Sequence, residues 1–135
     1  MSHFTSIRTQ IKNIESLIKA LADLGFKDIE VYQTAQNLYG YQGDVRANTA
    51  EVIIRRKYIG SASNDIGFKR QDDGSFKAII SEYDRAKYSQ KWVNHLTQRY
   101  GYHCLMETAP LEGFSVEEEE TLEDGTIRVV VARWV

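Results

Sequence analysis

The chain has 135 residues but only one proline, one cysteine and three histidines. No apolar stretch approaches the roughly 18 residues that a membrane span requires. The lone cysteine, Cys104, excludes an intramolecular disulfide and offers no sign of an oxidising compartment. Beside His103 on an extended strand the two side chains would point to opposite faces, so this pair is not expected to act as a nucleophile and base. With Pro110 as the sole proline and no Gly/Ser-rich or low-complexity run, long linkers are excluded. His3, His95 and His103 fall in no i, i+4 or HExxH arrangement, so no metal site is expected. The N-terminus lacks the basic and then apolar profile of a secretory signal. Charge of one sign is also missing overall, since 17 basic and 19 acidic residues give a formal net charge of −2. That balance excludes a general nucleic-acid coat and an acidic tail protein.

What is present is ordinary globular material: 42% hydrophobic and 27% charged residues, which excludes wholesale disorder. The length suits one domain over residues 1–135. The charge is segregated: Glu107–Asp124 carries eight acidic residues and no basic one, and 17 basic against 11 acidic residues elsewhere leave +6.

Periodicity predicts an α+β fold. A short strand over His3–Gln10 precedes a helix over Asn13–Leu24, with Asn13 as N-cap, Ile14, Leu17, Ile18, Leu21 and Leu24 at helical spacing, and Gly25 as the stop. Ile29–Gln33 reads as a strand, followed by a long ordered loop from Thr34 to about Thr49. Glu51–Ile59 reads as a strand. Asp65–Arg70 and Ser75–Ser81 form a hairpin about Asp72, Asp73 and Gly74. A second helix over Asp84–Tyr100 carries the stripe Tyr88, Trp92, Val93, Leu96 and Tyr100. A strand over Tyr102–Thr108 and a final hairpin, Ser115–Leu122 with Thr126–Val135 about Glu123–Gly125, close the chain. Leu24-Gly25-Phe26 and Tyr100-Gly101-Tyr102 each end a helix and suggest an internal duplication of helix-strand-strand units. The expected architecture is mainly antiparallel sheet with both helices packed on one face.

Chemical motifs are sparse. Gly40-Tyr41-Gln42-Gly43 has neither a Walker lysine nor GxGxxG spacing, and no GxSxG elbow occurs. No cofactor is implied, and no catalytic set is suggested by spacing. Glu117–Glu120 reads as a charged strand; a turn at Glu123–Gly125 puts Glu120 opposite Arg128. The basic strand Arg55-Arg56-Lys57, with Tyr39 and Tyr41, offers an alternative: an RNA- or nucleotide-binding module stacking bases on aromatic rings. An enzyme would need Asp44, Arg46 and Asn64-Asp65 to converge in a cleft.

Tyr39-Gly40-Tyr41-Gln42-Gly43-Asp44, then Arg46, then Asn64-Asp65-Ile66-Gly67-Phe68, resemble the hypothetical chloroplast reading frame thirty-five family of uncharacterised small proteins of cyanobacteria and algal plastids. Ser2-His3-Phe4, the Ala20-Leu21 to Leu24-Gly25 helix end and Arg133-Trp134 fit as well. The resemblance implies a soluble protein of the cyanobacterial cytosol or plastid stroma, without membrane insertion. It brings no catalytic residues with it, and it implies a protein partner, with an ATPase of the AAA type as a candidate. Physically, the glycines Gly40, Gly43 and Gly67 are expected to take backbone angles closed to other residues. Asn64-Asp65 is expected to bond local backbone, and Asp44 with Arg46 to tie the loop to the sheet. The expected function is an accessory or adaptor protein of photosynthetic cells acting by protein–protein interaction. Its candidate surface comprises Tyr39, Tyr41, Asp44, Arg46, Asn64, Asp65, Arg55, Arg56 and Lys57.

Overall fold

The computed structural model describes residues 3–108, 114–123 and 127–133. In chain order they form β1 (Phe4–Arg8), α1 (Ile14–Asp23), β2 (Glu30–Tyr39), β3 (Val45–Ile54), β4 (Ile66–Arg70), β5 (Phe76–Ser81), α2 (Gln90–Thr108), β6 (Phe114–Thr121) and β7 (Ile127–Arg133). The first five strands pair antiparallel in the order β1-β5-β4-β3-β2, and β6 pairs with β7 in a separate two-stranded sheet.

Helix α1 forms as its sequence predicts. The Asn13 side chain accepts from Ser16 N at 3.0 Å, and Gly25 leaves the helix at φ +98°. Leu17 and Leu21 point into the core. In α2 the stripe holds as well, with Val93 and Leu96 buried and Trp92 wedged edge-on between Phe26 and Tyr88 at centroid distances of 6.2 and 5.1 Å. The Tyr100 hydroxyl accepts from the backbone N–H groups of Lys12 and Asn13, at 3.0 and 2.9 Å, fastening α2 to the start of α1. Both helices cover one face of the large sheet. Ile7, Val52, Phe68 and Ala78, neighbours across four strands, join Leu17, Leu21 and Leu96 in one apolar core.

Four expectations are corrected. The long loop from Thr34 is absent: β2 runs on to Tyr39, turns at Gly40–Asp44, and returns as β3 from Val45. The polar run Gln33–Asn37 hid this strand because it has no core on its outer side. The strand from Glu51 ends at Ile54, and Arg56–Tyr58 is a 3-10 turn. Asp84 lies in another 3-10 turn, Asp84–Ala86, and α2 begins only at Gln90. Finally, Tyr102–Thr108 is not a strand but the last two turns of α2. Gly101 does not stop the helix, because charged contacts to α1 hold its far side. Asp23 accepts from Arg99 Nε at 2.8 Å and meets His103 Nε2 at 2.6 Å, and Lys19 pairs with Glu107. Arg99 and His103 are four apart, so only a continued helix brings both to one carboxylate.

The other face of the sheet is covered by the protein's own hairpin. Val31 pairs with Val52 but Gln36 pairs with Ala50, so residues 32–35 of β2 oppose Glu51 alone. Such an irregularity bends the strand. The far half of the hairpin therefore folds across the sheet, burying Leu38 and Ala50 with Ile53 and Ile79. Arg46 consequently stands over the Phe4 ring, 5.1 Å from its centroid. In a flat sheet β1 and β3, with β5 and β4 between them, would be about 14 Å apart. Gly67 is required under this fold, though not for its backbone angles. A Cβ there would lie 2.6 Å from Ala50 Cβ and 3.0 Å from Leu38 Cδ2.

In the small sheet the register places Glu120 opposite Arg128, with Oε1 and Nη1 3.6 Å apart, as the turn predicts. A register shift between Val116 and Glu118 interrupts the simple alternation expected of the glutamates. Pro110, Asp124, Gly125, Thr126 and Trp134 lie outside the described residues. The helix-strand-strand order does recur after α2, but β6 and β7 form their own sheet where β2 and β3 join the large one.

Candidate functional site

The motif residues meet at the end of the β2–β3 hairpin. Asn64 and Asp65 precede β4 and are both fully buried. They were expected to bond nearby backbone; instead each reaches the hairpin more than twenty residues away. Asp65 Oδ2 accepts from Tyr39 N at 2.7 Å, and Asp65 N donates to Tyr39 O at 3.0 Å. Asn64 Oδ1 accepts from Tyr41 N at 2.9 Å. Two adjacent side chains thus hold two backbone amides on either side of Gly40.

Beneath Asn64 lies a polar cluster that the sequence reading missed. Asn64 N donates to Asp84 Oδ2 at 2.9 Å and its Nδ2 to Ser81 Oγ at 2.9 Å, while Ser81 Oγ donates to Asp84 Oδ2 at 2.7 Å. Asp84, the expected helix cap, is a buried acceptor here. Each member is satisfied, as buried polar groups must be.

Asp65 also organises the basic segment. Its Oδ2 accepts from Arg55 Nη1 at 2.8 Å and its Oδ1 from Arg56 N at 2.7 Å. Arg55 Nε reaches Glu30 Oε1 at 3.0 Å, Nη1 reaches Asn37 O at 3.2 Å, and the guanidinium lies 4.8 Å from the centroid of the Tyr39 ring. Burial by itself would lower the Arg55 pKa, but its bonds to Glu30 and Asp65 outweigh this and raise it. The Arg55 hydrogen bond in turn holds the Glu30 carboxyl below its ordinary value, helped by Tyr32, whose hydroxyl donates to Glu30. Arg56 spends Nε on Ser63 O, at 2.9 Å, and Nη2 on Ser61 O, at 2.7 Å. Lys57 projects over Tyr58, with Nζ 5.0 Å from the ring centroid.

Glu30, Tyr39, Gly43, Arg55, Lys57 and Asp65 line an open cleft of about 410 Å³, with Arg56 at its side. Five of the nine candidate residues therefore share one concavity. Tyr41 and Asn64 flank it through the latch. Asp44 and Arg46 do not line it: their side chains are 3.9 Å apart, and Arg46 turns to Phe4 on the far face. Arg46 reaches β1 through Phe4, whereas Asp44 meets Arg46 within the hairpin itself, and the convergence that an enzyme would need is not met. Gly40, contrary to expectation, is not at positive φ, and a Cβ there would meet the Asp44 carboxylate, the end of an exposed side chain that can move aside. Gly43 turns the chain at φ +81°. Glu30 is the residue sequence reasoning missed; the one signal was its standing as the sole charge in β2. Among the described residues, no group of three or more His, Cys, Asp or Glu side chains could hold a metal ion. None of the described helices is long and apolar enough to cross a membrane.

A five-stranded antiparallel sheet with helices on one face and its own hairpin on the other defines an α+β protein whose concave surface lies at the hairpin end. Residues 20–130 match the family described as "Protein of unknown function (DUF1257)", and the chain belongs to that family. It is 33% identical over 135 residues to the uncharacterized protein ycf35 of Cyanophora paradoxa, covering 99% of this chain and 98% of that one. Identity is 26% over 135 residues to the ycf35 protein of Pyropia yezoensis and 28% over 140 to that of Guillardia theta, with the same coverage of 99% and 98%. The resemblance carried by the Tyr39–Arg46 and Asn64–Phe68 motifs is thereby borne out across nearly the whole length. No solved structure matches the chain.

Proposed function

We propose that the protein is a non-catalytic adaptor of photosynthetic cells, in the cyanobacterial cytosol or plastid stroma, which binds a protein partner through the hairpin end and its cleft. One observation carries this reading: the hairpin end exposes aromatic and apolar side chains beside a concavity whose Arg55 is already ion-paired and whose Arg56 donates to backbone carbonyls. Tyr39, Tyr41, Val45 and Tyr58 are all exposed, Val45 by 65%. Val45 is the cross-strand partner of Tyr39, so the two share a face. Exposed aromatic anchors on a rigid support are what protein interfaces favour. The same geometry weighs against nucleic acid as the ligand, since Arg55 and Arg56 direct their donors inward and only Lys57 remains for a phosphate.

Affinity capture from a plastid or cyanobacterial lysate, with a purified AAA-type ATPase tested alongside, examines the proposal. The wild-type chain is expected to retain a specific partner that a Tyr41→Ala, Val45→Asp double variant loses. Both substitutions replace exposed side chains, so the variant should unfold at the same denaturant concentration. No specific partner in repeated captures, or equal recovery by the variant, overturns the reading.

A further inference from the structure

A second concavity lies away from the β2–β3 hairpin, along the first half of α2 and the residues just before it, with Glu123 beside it. It has a volume of about 540 Å³ and, unlike the first, is lined almost wholly by polar side chains. Lys87 and Lys91 both line it. Among the described residues neither forms an ion pair, although Lys87 Nζ lies 5.5 Å from the centroid of the Tyr88 ring. The wall is the partly exposed Trp92, whose ring is held by edge-on contacts with Tyr88 and Phe26. Asn94 and Gln98 add amide groups, His95 an imidazole and Glu123 a carboxylate. Asn94 Oδ1 already accepts from Gln90 Nε2 at 2.8 Å, so its amide N–H groups are what it can present.

We infer that this groove binds a mononucleotide-class ligand, a single phosphoryl group joined to a planar heterocycle. Two ammonium groups lining one groove without an ion-pair partner among the described residues are suited to a phosphate. A ring wall fixed by its own packing offers a stacking surface at little entropic cost, and amides read the edge of a heterocycle by hydrogen bonds. The Glu123 carboxylate can accept from sugar hydroxyls. The volume falls within the roughly 300–1,000 Å³ of small-molecule sites. The inference is independent of the adaptor reading: the two sites share no residue.

Tryptophan emission provides the test. With Trp134→Phe as background, Trp92 is the single tryptophan. The full chain is titrated with AMP, adenosine and inorganic phosphate at low salt, and calorimetry supports the fluorescence. AMP is expected to quench Trp92 emission, with adenosine and phosphate each binding at least about tenfold more weakly. Lys91→Gln and Lys87→Gln are each expected to weaken AMP by about tenfold without moving the unfolding midpoint, and Asn94→Ala to shift the preference among AMP, GMP, CMP and UMP. No response to any of the four at about 5 mM overturns the proposal. Phosphate binding as tightly as AMP, or lysine variants binding AMP unchanged, overturns it as well. The Tyr41→Ala, Val45→Asp variant should bind AMP like the wild type, so failure here and failure of the adaptor reading are distinguishable.

Discussion

At the scale of single residues, Asp65 joins the hairpin to the basic segment from a fully buried position. Its carboxylate receives the Tyr39 and Arg56 amides and the Arg55 guanidinium, and nothing of it is exposed. Removing the charge from a buried, fully bonded ion pair leaves the guanidinium short of a partner, which typically costs about 3–5 kcal/mol. Asp65→Asn should therefore lower unfolding stability by about 3 kcal/mol in urea titrations, whereas Asp44→Asn, at an exposed 3.9 Å contact, should cost less than about 1 kcal/mol. Gly67 tests packing in the same region. Gly67→Ala forces a methyl against Ala50 and Leu38 and should cost about 2 kcal/mol. The double variant Gly67→Ala, Ala50→Gly restores the volume and should recover part of that loss. These two residues also mark what could be read beforehand. The Asn64-Asp65 motif was visible, but not its partners, because the amides it grips lie more than twenty positions away and hydrogen bonds of that range leave no local spacing.

At the scale of elements, the same reasoning separates what was legible from what was not. Helix α1 and the β4–β5 hairpin carry their own instructions: an N-cap, a core stripe, and a glycine at positive φ in the turn, Gly74 at +87°. Strand β2 carries none, because its bent half faces solvent on one side and the sheet it covers on the other. The last turns of α2 depend on α1. Burial alone would raise the Asp23 pKa, yet hydrogen bonds from His103 and Arg99 depress it below 3.8. A carboxyl depressed by folding contributes stability that is fully present above its unfolded value of about 4 and is lost as pH falls through the folded one. Wild type and Asp23→Asn should therefore differ in stability at pH 6 and converge as the solution is acidified below about pH 3. A difference that persists unchanged at low pH would mean that the charge on Asp23 does not hold the helix ends together.

For the whole molecule, the near-neutral total conceals charges that are satisfied locally. Acidic residues of the Glu107–Asp124 stretch find near partners: Glu107 with Lys19, Glu119 with the Tyr102 hydroxyl at 2.8 Å, and Glu120 with Arg128. The basic segment is answered by Glu30, Asp65 and backbone carbonyls. The acidic and basic stretches thus do not complete each other across the fold. Most of these pairs are exposed and screened by salt, while Arg55–Asp65 is not. Raising salt from about 0.05 to about 0.5 M should change unfolding stability by less than about 1 kcal/mol, with the Asp65→Asn penalty unaltered.

The latch at the hairpin end has one consequence for how such a surface can change. Asn64 and Asp65 hold the hairpin by the backbone amides of residues 39 and 41, and the side chains at 41 and 45 stay outside the grip. A frame fastened by its main chain is indifferent to what the side chains display. On the adaptor reading, recognition by this face can therefore diverge between relatives, one exposed side chain at a time, while the loop conformation that presents it stays the same.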